Sequence, residues 1–252
     1  LTFDDGLVDH REWVLPELRE RGLCGVFFVP TGPLDGLALP VHRVHALLGR
    51  LDAERVDEAL GAVVAERGLE RAGSSADTYG GDDGEQTSAA LDAAGRVKRL
   101  VNFELPWGAV PGVLDAVEGR LSAAPLDPAS YYCSAADLRA LDDAGMLLGA
   151  HTVTHPVLSR LPEDDQRAEI RDSFDRLAAA VGGLDVRLFA YPFGGPETFT
   201  GTTASLLADA GCDAAFTTVS DRIDAVTLAD RPLALPRRDC NEFLHGAASF
   251  DM

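Results

Sequence analysis

Two adjacent carboxylates, Asp4 and Asp5, directly follow the short apolar segment from Leu1 to Phe3. Neighbouring carboxylates repel each other, so they need a cation, hydrogen-bond donors or a raised pKa on one of them. The alternative is a simple turn, because Asp-Asp-Gly is also common turn chemistry. Taken alone, the pair therefore leaves a functional site and a turn both open.

Two histidines, His151 and His155, follow a second apolar segment, which runs from Met146 to Ala150. Imidazoles four residues apart lie on one side of a helical turn, where both can reach one metal ion. In isolation, two polar loop histidines are the simpler interpretation. Two imidazoles and one carboxylate at the same edge of a fold would instead form a three-ligand site with an open position for water, which is typical of a catalytic zinc site.

A third segment, Tyr191-Pro192-Phe193-Gly194, follows the apolar residues Val186 to Ala190. A turn of this composition is often only a rigid bend. Beside a metal ion, its backbone N–H groups could point at a developing oxyanion. Tyr191 itself is expected to pack against the core or the rim.

Strands and helices alternate around these segments. Short continuous apolar runs predict buried strands, and apolar residues at helical spacing predict helices between them. Ser134 and Asp137 have the spacing of a capping box at the start of one helix. The predicted strands are residues 1–3, 25–29, 146–150, 186–190, 214–218 and 233–236, and the predicted helices between them are residues 10–21, 134–144, 163–180 and 202–210.

Repeated β/α units of this kind predict a doubly wound sheet or a (β/α) barrel. In both folds the functional residues lie at the C-terminal ends of the strands. Asp4, His151 and Tyr191 each follow a predicted strand directly. We therefore expect the three segments to meet at one edge of the sheet.

The middle of the chain interrupts this alternation. Residues 33–130 are predicted to be a mostly helical insertion into a single domain of residues 1–252, with helices near 41–50, 53–69 and 110–123. Residues 72–95 are rich in Ala, Gly, Ser and Asp, and this composition predicts a mobile loop. His42 and His45 lie on the first insertion helix. They could face a substrate cleft, but a solvated helix face is the expectation.

Composition and charge exclude several classes of partner. The 22 basic and 41 acidic residues give a formal charge of −19, which disfavours binding to nucleic acid, anionic membranes or polyanionic polysaccharides. No apolar run approaches the roughly 20 residues of a membrane span. The four cysteines are far apart, so neither a disulfide framework nor a Cys-rich zinc site is expected.

The sequence begins at Leu1-Thr2-Phe3, as if in the middle of a strand. We expect residues upstream of this point, which could include a signal peptide. The compartment is thus left open, with a slight preference for the cytoplasm because no secretion signal is visible. Nothing in the sequence indicates the oligomeric state.

Taken in order, these motifs resemble the polysaccharide deacetylases, the NodB-homology or carbohydrate esterase family 4 group. The first motif is Thr2 to Gly6, the second is His151 to His155, and the third is a Tyr-Pro-aromatic-Gly variant at Tyr191 to Gly194. Glu169 and Leu235-Pro236-Arg237 resemble one branch of the family. The resemblance implies an α/β fold, namely a distorted (β/α) barrel, and hydrolysis of an N-acetyl group on an amino sugar.

The resemblance also implies roles for individual residues. Asp4 would be the general base, and Asp5, His151 and His155 would bind one divalent ion, which we expect to be Zn²⁺. The backbone N–H of Phe193 would help to stabilise the tetrahedral oxyanion. The implied partner is an N-acetylated saccharide or a small molecule. A helical insertion beside the rim could cover the site, which favours a small or activated saccharide over a polymer.

Two departures from the family pattern affect this assignment. The third motif of the family usually contains an Arg that braces the catalytic Asp, and Ala190 stands at that position. Arg237 or Arg238 could substitute from the next strand end, and we expect Arg237 to pair with Asp4. The usual Leu-x-His, which supplies the general acid, is not clear. His245 in Phe243-Leu244-His245 is a candidate, with a surface histidine as the alternative.

Two other functions remain open at this point. Two histidines and a carboxylate also describe the facial triad of non-haem iron oxygenases, although such an enzyme needs no second carboxylate beside its ligand. A carbohydrate-binding protein or weakly active pseudoenzyme of the same fold is suggested by Ala190 and by the unclear acid. The intact ligand set argues against this second alternative.

Overall fold

The computed structural model describes residues 1–71 and 91–243, together with the backbone of residues 78–81 and 84–87. The strands are β1 (Thr2–Phe3), β2 (Val26–Val29), β3 (Thr78–Gly81), β4 (Gly84–Thr87), β5 (Leu147–Ala150), β6 (Leu188–Ala190) and β7 (Ala214–Phe216). The α-helices are α1 (Leu15–Glu20), α2 (Pro40–Arg50), α3 (Ala53–Glu66), α4 (Ala93–Arg99), α5 (Val110–Leu121), α6 (Pro128–Tyr131), α7 (Ala135–Asp143), α8 (Glu163–Val181), α9 (Gly201–Asp209) and α10 (Ala225–Asp230).

Five parallel strands form the main sheet in the order β1-β2-β5-β6-β7. A parallel bridge between Phe216 and Leu235 continues the sheet beyond β7. Because all these strands run the same way, their C-terminal ends lie at one edge. The predicted α/β fold is confirmed as a distorted (β/α) barrel, with the three predicted motifs following β1, β5 and β6.

The two faces of the sheet bury different apolar clusters. Successive side chains in a strand point to opposite faces. Phe27 packs with Leu148, Phe174 and Phe189 in the core that helices α1, α7, α8 and α9 also share. Phe28 points the other way and packs with Leu188, Ala190, Ala214 and Leu235. A side chain at Gly149 would place its Cβ only 2.5 Å from the Phe28 ring, so glycine there makes room for this phenylalanine.

The helices between β2 and α6 build a second apolar core. Helices α2, α3, α4 and α5 contribute Val44, Leu60, Val63, Val97 and Leu114 to it, together with other aliphatic residues. Strands β3 and β4 pair antiparallel with each other. The segment predicted to be a mobile loop, 72–95, lies partly outside the described residues. Its described parts are these two strands and the start of α4.

Most core elements match the sequence predictions to within about two residues, and the capping box is confirmed. The Ser134 hydroxyl accepts from the Asp137 N–H, and the Asp137 carboxylate accepts from the Ser134 N–H. The predicted helix 10–21 is divided into a wide π-helical segment, His10–Val14, and α1. Helices α4 and α10 and the helical segment Leu100–Glu104 were not predicted. Within the described part of the chain, no helix has the length and apolar character needed to cross a membrane.

Candidate metal centre

The predicted metal ligands come together at the C-terminal edge of the sheet. Asp5 follows β1, His151 follows β5 directly, and His155 lies in the loop that continues from it. Both histidines are buried, and their ring centroids are 4.8 Å apart. One ligand atom from each of the three residues lies within 4.8 Å of the other two. These are the three side chains that the sequence predicts as metal ligands, and their arrangement could hold one metal ion.

The spacing of the three side chains suits a small divalent ion. Asp5 Oδ1 lies 3.6 Å from His151 Nε2 and 3.4 Å from His155 Nε2. Zinc binds oxygen and nitrogen at about 2.0–2.2 Å in a tetrahedral arrangement, so neighbouring ligand atoms lie about 3.3–3.6 Å apart. The observed distances match this separation. The donor set of two imidazoles and a carboxylate is also one that zinc accepts.

One atom of each side chain faces the other two. The Nδ1–H of His151 donates to the Ala190 carbonyl over 2.7 Å, which leaves Nε2 as the ring nitrogen that faces Asp5. Burial lowers the pKa of His155 to about 3, so that ring is neutral at neutral pH. Asp5 Oδ1 is buried and has no hydrogen-bond partner. A cation bound between these three atoms would compensate for the buried oxygen that has no donor.

Burial alone would raise the pKa of the Asp5 carboxyl. The hydrogen bond from His42, together with the electrostatic interaction with the surrounding imidazoles, outweighs that cost and holds the pKa of the carboxyl below its ordinary value. Asp5 is therefore ionised at neutral pH. An anionic oxygen is available for a metal ion without the prior loss of a proton.

The prediction that His151 and His155 lie on a helical turn was wrong, because residues 151–155 form an irregular loop. Thr152 and His155 both have left-handed backbone conformations, with φ of 64° and 62°. The Thr152 hydroxyl accepts from the His155 N–H over 3.0 Å. The Glu169 carboxylate on α8 accepts from the N–H groups of Val153 and Thr154 over 2.7 and 2.9 Å. Side chains thus satisfy the backbone groups that a helix would have paired, and the two imidazoles still converge.

Asp4 has different partners from Asp5. Its two carboxylate oxygens accept from Nη1 and Nη2 of Arg237 over 2.7 and 2.8 Å, which is a bidentate pair. Nε of Arg237 donates to the Thr217 carbonyl over 2.9 Å. Arg238, by contrast, is exposed. The predicted contact between Arg237 and Asp4 is present. A guanidinium thus contacts Asp4 although position 190 is an alanine.

Phe193 lies beside the metal ligands. Its backbone has a φ of 64°, and its ring contacts the His155 ring edge-on with centroids 5.0 Å apart. Its carbonyl accepts from the Thr218 hydroxyl. The following Gly194 has a φ of 68°, and a Cβ there would lie 2.7 Å from the Thr218 backbone. The turn is therefore tightly fixed, while the oxyanion role of the Phe193 N–H stays a prediction. Tyr191 is buried and donates to the Leu233 carbonyl, as expected of a packing residue.

The expectation that His42 lies on a solvated helix face was wrong. His42 on α2 is only 3% exposed. Its Nε2 lies 3.3 Å from Asp5 Oδ2, and its Nδ1 lies 2.8 Å from the Tyr132 hydroxyl. His45 on the same helix is exposed. The sequence could not predict this contact, because a histidine on an amphipathic helix does not indicate which part of the fold the helix packs against.

Three further residues near the site have contacts that the sequence did not predict. Trp107, from the segment between α4 and α5, donates to the Thr154 hydroxyl over 3.1 Å. Phe103 contacts the Phe193 ring with centroids 5.5 Å apart. Burial and the negative charge of Asp5 raise the pKa of the half-buried Tyr131. In the sequence, only the aromatic character of these residues could have indicated a role near the site. His245, the candidate general acid, lies outside the described residues.

Comparison with known proteins agrees with the motifs. Residues 122–216 match a family model described as polysaccharide deacetylase. This range contains His151, His155 and the Tyr191 to Gly194 turn. No match was found among curated protein sequences.

Three solved structures share the fold. The Streptococcus pyogenes deacetylase PplD in complex with acetate has a TM-score of 0.51 at 18% identity, over 95% of this chain and 63% of that one. The deacetylase domain of BpsB from Bordetella bronchiseptica has a TM-score of 0.52 at 15% identity, over 94% and 69%. A de-N-acetylase from Aggregatibacter actinomycetemcomitans has a TM-score of 0.51 at 12% identity, over 94% and 68%. This chain thus spans 63–69% of the length of these proteins.

Proposed function

We propose that this chain is a metal-dependent N-deacetylase of the polysaccharide deacetylase family, whose model matches residues 122–216. Its substrate is an N-acetylated amino sugar or a sugar-containing intermediate, and its products are the free amine and acetate. The observation that carries the proposal is the convergence of Asp5, His151 and His155, with a second carboxylate, Asp4, held beside them by Arg237. A facial-triad oxygenase has no use for that second, oriented carboxylate.

Asp5, His151 and His155 would hold the metal ion, which we propose to be Zn²⁺. When bound, such an ion supplies Lewis-acid chemistry, because it lowers the pKa of water and polarises the amide carbonyl. The bare Nε2 atoms of the two histidines and Oδ1 of Asp5 are the ligand atoms. The hydrogen bond from His151 Nδ1 to the Ala190 carbonyl fixes the orientation of the imidazole ring. Hydrogen bonds from the outer side of a metal ligand commonly have this effect.

Asp4 is the general base. Its side chain is part-buried at 29% exposure, and the bidentate contact to Arg237 holds its carboxylate in one orientation. From that position it accepts the proton of the attacking water. General bases contribute typically 10²–10⁴-fold to a rate when they are positioned in this way.

Two further groups act on the substrate itself, at the oxyanion and at the leaving amine. The Phe193 N–H, on the left-handed turn beside His155, donates to the oxyanion of the tetrahedral intermediate. His245 is the proposed general acid, which protonates the leaving amine. The net charge of −19 suits a neutral saccharide whose deacetylated product is cationic.

The helical segments around the site support a preference for a small substrate. Trp107 and Phe103, which precede α5, contact the loop of the metal ligands and the Phe193 turn, and His42 on α2 contacts Asp5. A site approached by these elements favours a small or activated saccharide over an extended polymer.

Acetate release tests the proposal. The protein is stripped with a chelator, and one half is reloaded with Zn²⁺. Both halves are incubated with N-acetylglucosamine, its glycosides and oligomers of increasing length. We expect acetate from the reloaded protein only, with the shorter compounds preferred. Acetate release that is equal in both halves would contradict the metal requirement, and no release from any compound would favour a binding protein of the same fold.

A further inference from the structure

A buried chain of hydrogen bonds joins the two ends of the inserted helical region to Asp5. His42 lies in the first turns of α2, and Tyr132 follows α6, so they are 90 residues apart in sequence. Tyr132 also forms a bridge with Leu7, and the N–H of the next residue, Cys133, donates to the Gly6 carbonyl. The two ends of this region are therefore fixed beside the turn that carries Asp5.

The direction of the hydrogen bonds follows from the Asp5 end of the chain. An ionised carboxylate only accepts, so Nε2–H of His42 donates to Asp5 Oδ2 over 3.3 Å. With the imidazole proton on Nε2, Nδ1 of His42 accepts from the Tyr132 hydroxyl over 2.8 Å. The Tyr132 oxygen in turn accepts from the Leu39 N–H over 3.1 Å.

This chain divides the two oxygens of Asp5 between different partners. Oδ1 faces the imidazoles of His151 and His155, and Oδ2 faces His42. Without a donor on Oδ2, the carboxylate could rotate and present either oxygen or both. We propose that His42, oriented by Tyr132, is a positioning residue that holds Asp5 as a one-oxygen ligand and so tightens the metal centre. This inference rests on the proposed function of the site.

The surroundings of His42 are suited to this role. The side chain is almost fully buried, and the rings of Tyr131 and Tyr132 lie with centroids 5.2 and 5.4 Å from its own. The aromatic walls restrict rotation of the imidazole. A buried donor in a fixed orientation imposes its geometry on the acceptor more strongly than an exposed one does.

Metal affinity of matched variants tests the inference. His42→Phe keeps a ring of similar size and removes both nitrogens. His42→Gln keeps the polarity, because its oxygen can accept from Tyr132 and its amide can donate to Asp5. His45→Phe makes the same change on the exposed side of the same helix. The Zn²⁺ dissociation constant is measured by competition with a chromophoric chelator, and thermal unfolding in excess chelator monitors the fold.

We expect His42→Phe to bind Zn²⁺ about 10–100-fold more weakly than the wild type, which is the usual effect of losing an outer contact of a metal ligand. His42→Gln should recover most of this loss, and His45→Phe should bind like the wild type. Tyr132→Phe should fall between His42→Phe and the wild type, because His42 then lacks the proton that fixes its tautomer.

Two results would overturn the inference. One is wild-type affinity in His42→Phe. The other is equal weakening in His42→Phe and His42→Gln, which would indicate that the side chain only fills space. Both results presuppose that the wild type binds Zn²⁺. A wild type that binds none would instead contradict the proposed function itself.

Discussion

Asp4 and Asp5 are neighbours in sequence, yet their side chains have separate environments. Asp5 has a left-handed backbone with a φ of 76°, an uncommon conformation for a residue other than glycine. Its carboxylate lies beside the imidazoles of His151, His155 and His42, while Asp4 contacts a guanidinium with both oxygens. Of the non-glycine residues with positive φ in the described chain, Asp5, Thr152, His155 and Phe193 lie at the site. Such backbone strain is typical of functional centres.

Arg237 provides a test at the residue scale. Arg237→Lys should lower kcat/KM by about 10-fold or more, because a Lys ammonium cannot grip both oxygens of Asp4. Arg237→Met should lower it further, toward ~10²-fold, since a misplaced base loses most of its contribution. Bound zinc should be unchanged in both variants, because Arg237 contacts none of the metal ligands.

Arg238→Met is the control, because this neighbouring arginine is exposed. Kinetics and zinc content are measured on the same preparations. If Arg237→Lys were as active as the wild type, the bidentate contact would have no catalytic role.

Loops after the strands, rather than the strands themselves, set the geometry of the metal centre. The loop from His151 to His155 has no helical hydrogen bonds of its own, and Glu169 on α8 supplies the acceptors that its backbone lacks. Glu169 also accepts from the Thr154 hydroxyl over 2.6 Å, and that hydroxyl accepts from Trp107. The Glu169 carboxylate thus connects the loop from His151 to His155 with helix α8. Burial raises the pKa of this carboxyl.

The loop gives a prediction at the scale of elements. Glu169→Ala leaves the N–H groups of Val153 and Thr154 without their acceptor, and an unsatisfied buried donor costs about 1–3 kcal/mol. We expect a lower unfolding temperature and weaker Zn²⁺ binding, because the two histidines are no longer held at a fixed separation. Asp165→Ala, which removes an exposed carboxylate one turn earlier on α8, should leave both quantities unchanged. Wild-type Zn²⁺ affinity in Glu169→Ala would show that the loop holds its shape without this carboxylate.

At the scale of the whole molecule, periodicity and motif order were sufficient to predict the barrel and the convergence of Asp5, His151 and His155. Apolar runs mark β2 and β5 because strands buried on both faces have no polar alternation. The sequence could not predict the conformation from His151 to His155, because acceptors on α8 replace the local hydrogen bonds. It could not place His42 beside Asp5 either, because that contact joins an inserted helix to the barrel. The pairing of Arg237 with Asp4 was predictable only because the need for a cation beside Asp4 and the family resemblance of Leu235-Pro236-Arg237 pointed to the same residue.

In the proposed mechanism the two adjacent carboxylates have different roles, because Asp4 is the general base and Asp5 is a metal ligand. The most direct test is to measure zinc content and acetate release on the same samples of Asp4→Asn and Asp5→Asn. We predict that Asp4→Asn retains its zinc and loses at least ~10²-fold in activity, whereas Asp5→Asn loses the metal and the activity together. An Asp4→Asn variant that lacks zinc, or an Asp5→Asn variant that binds it fully, would contradict the account.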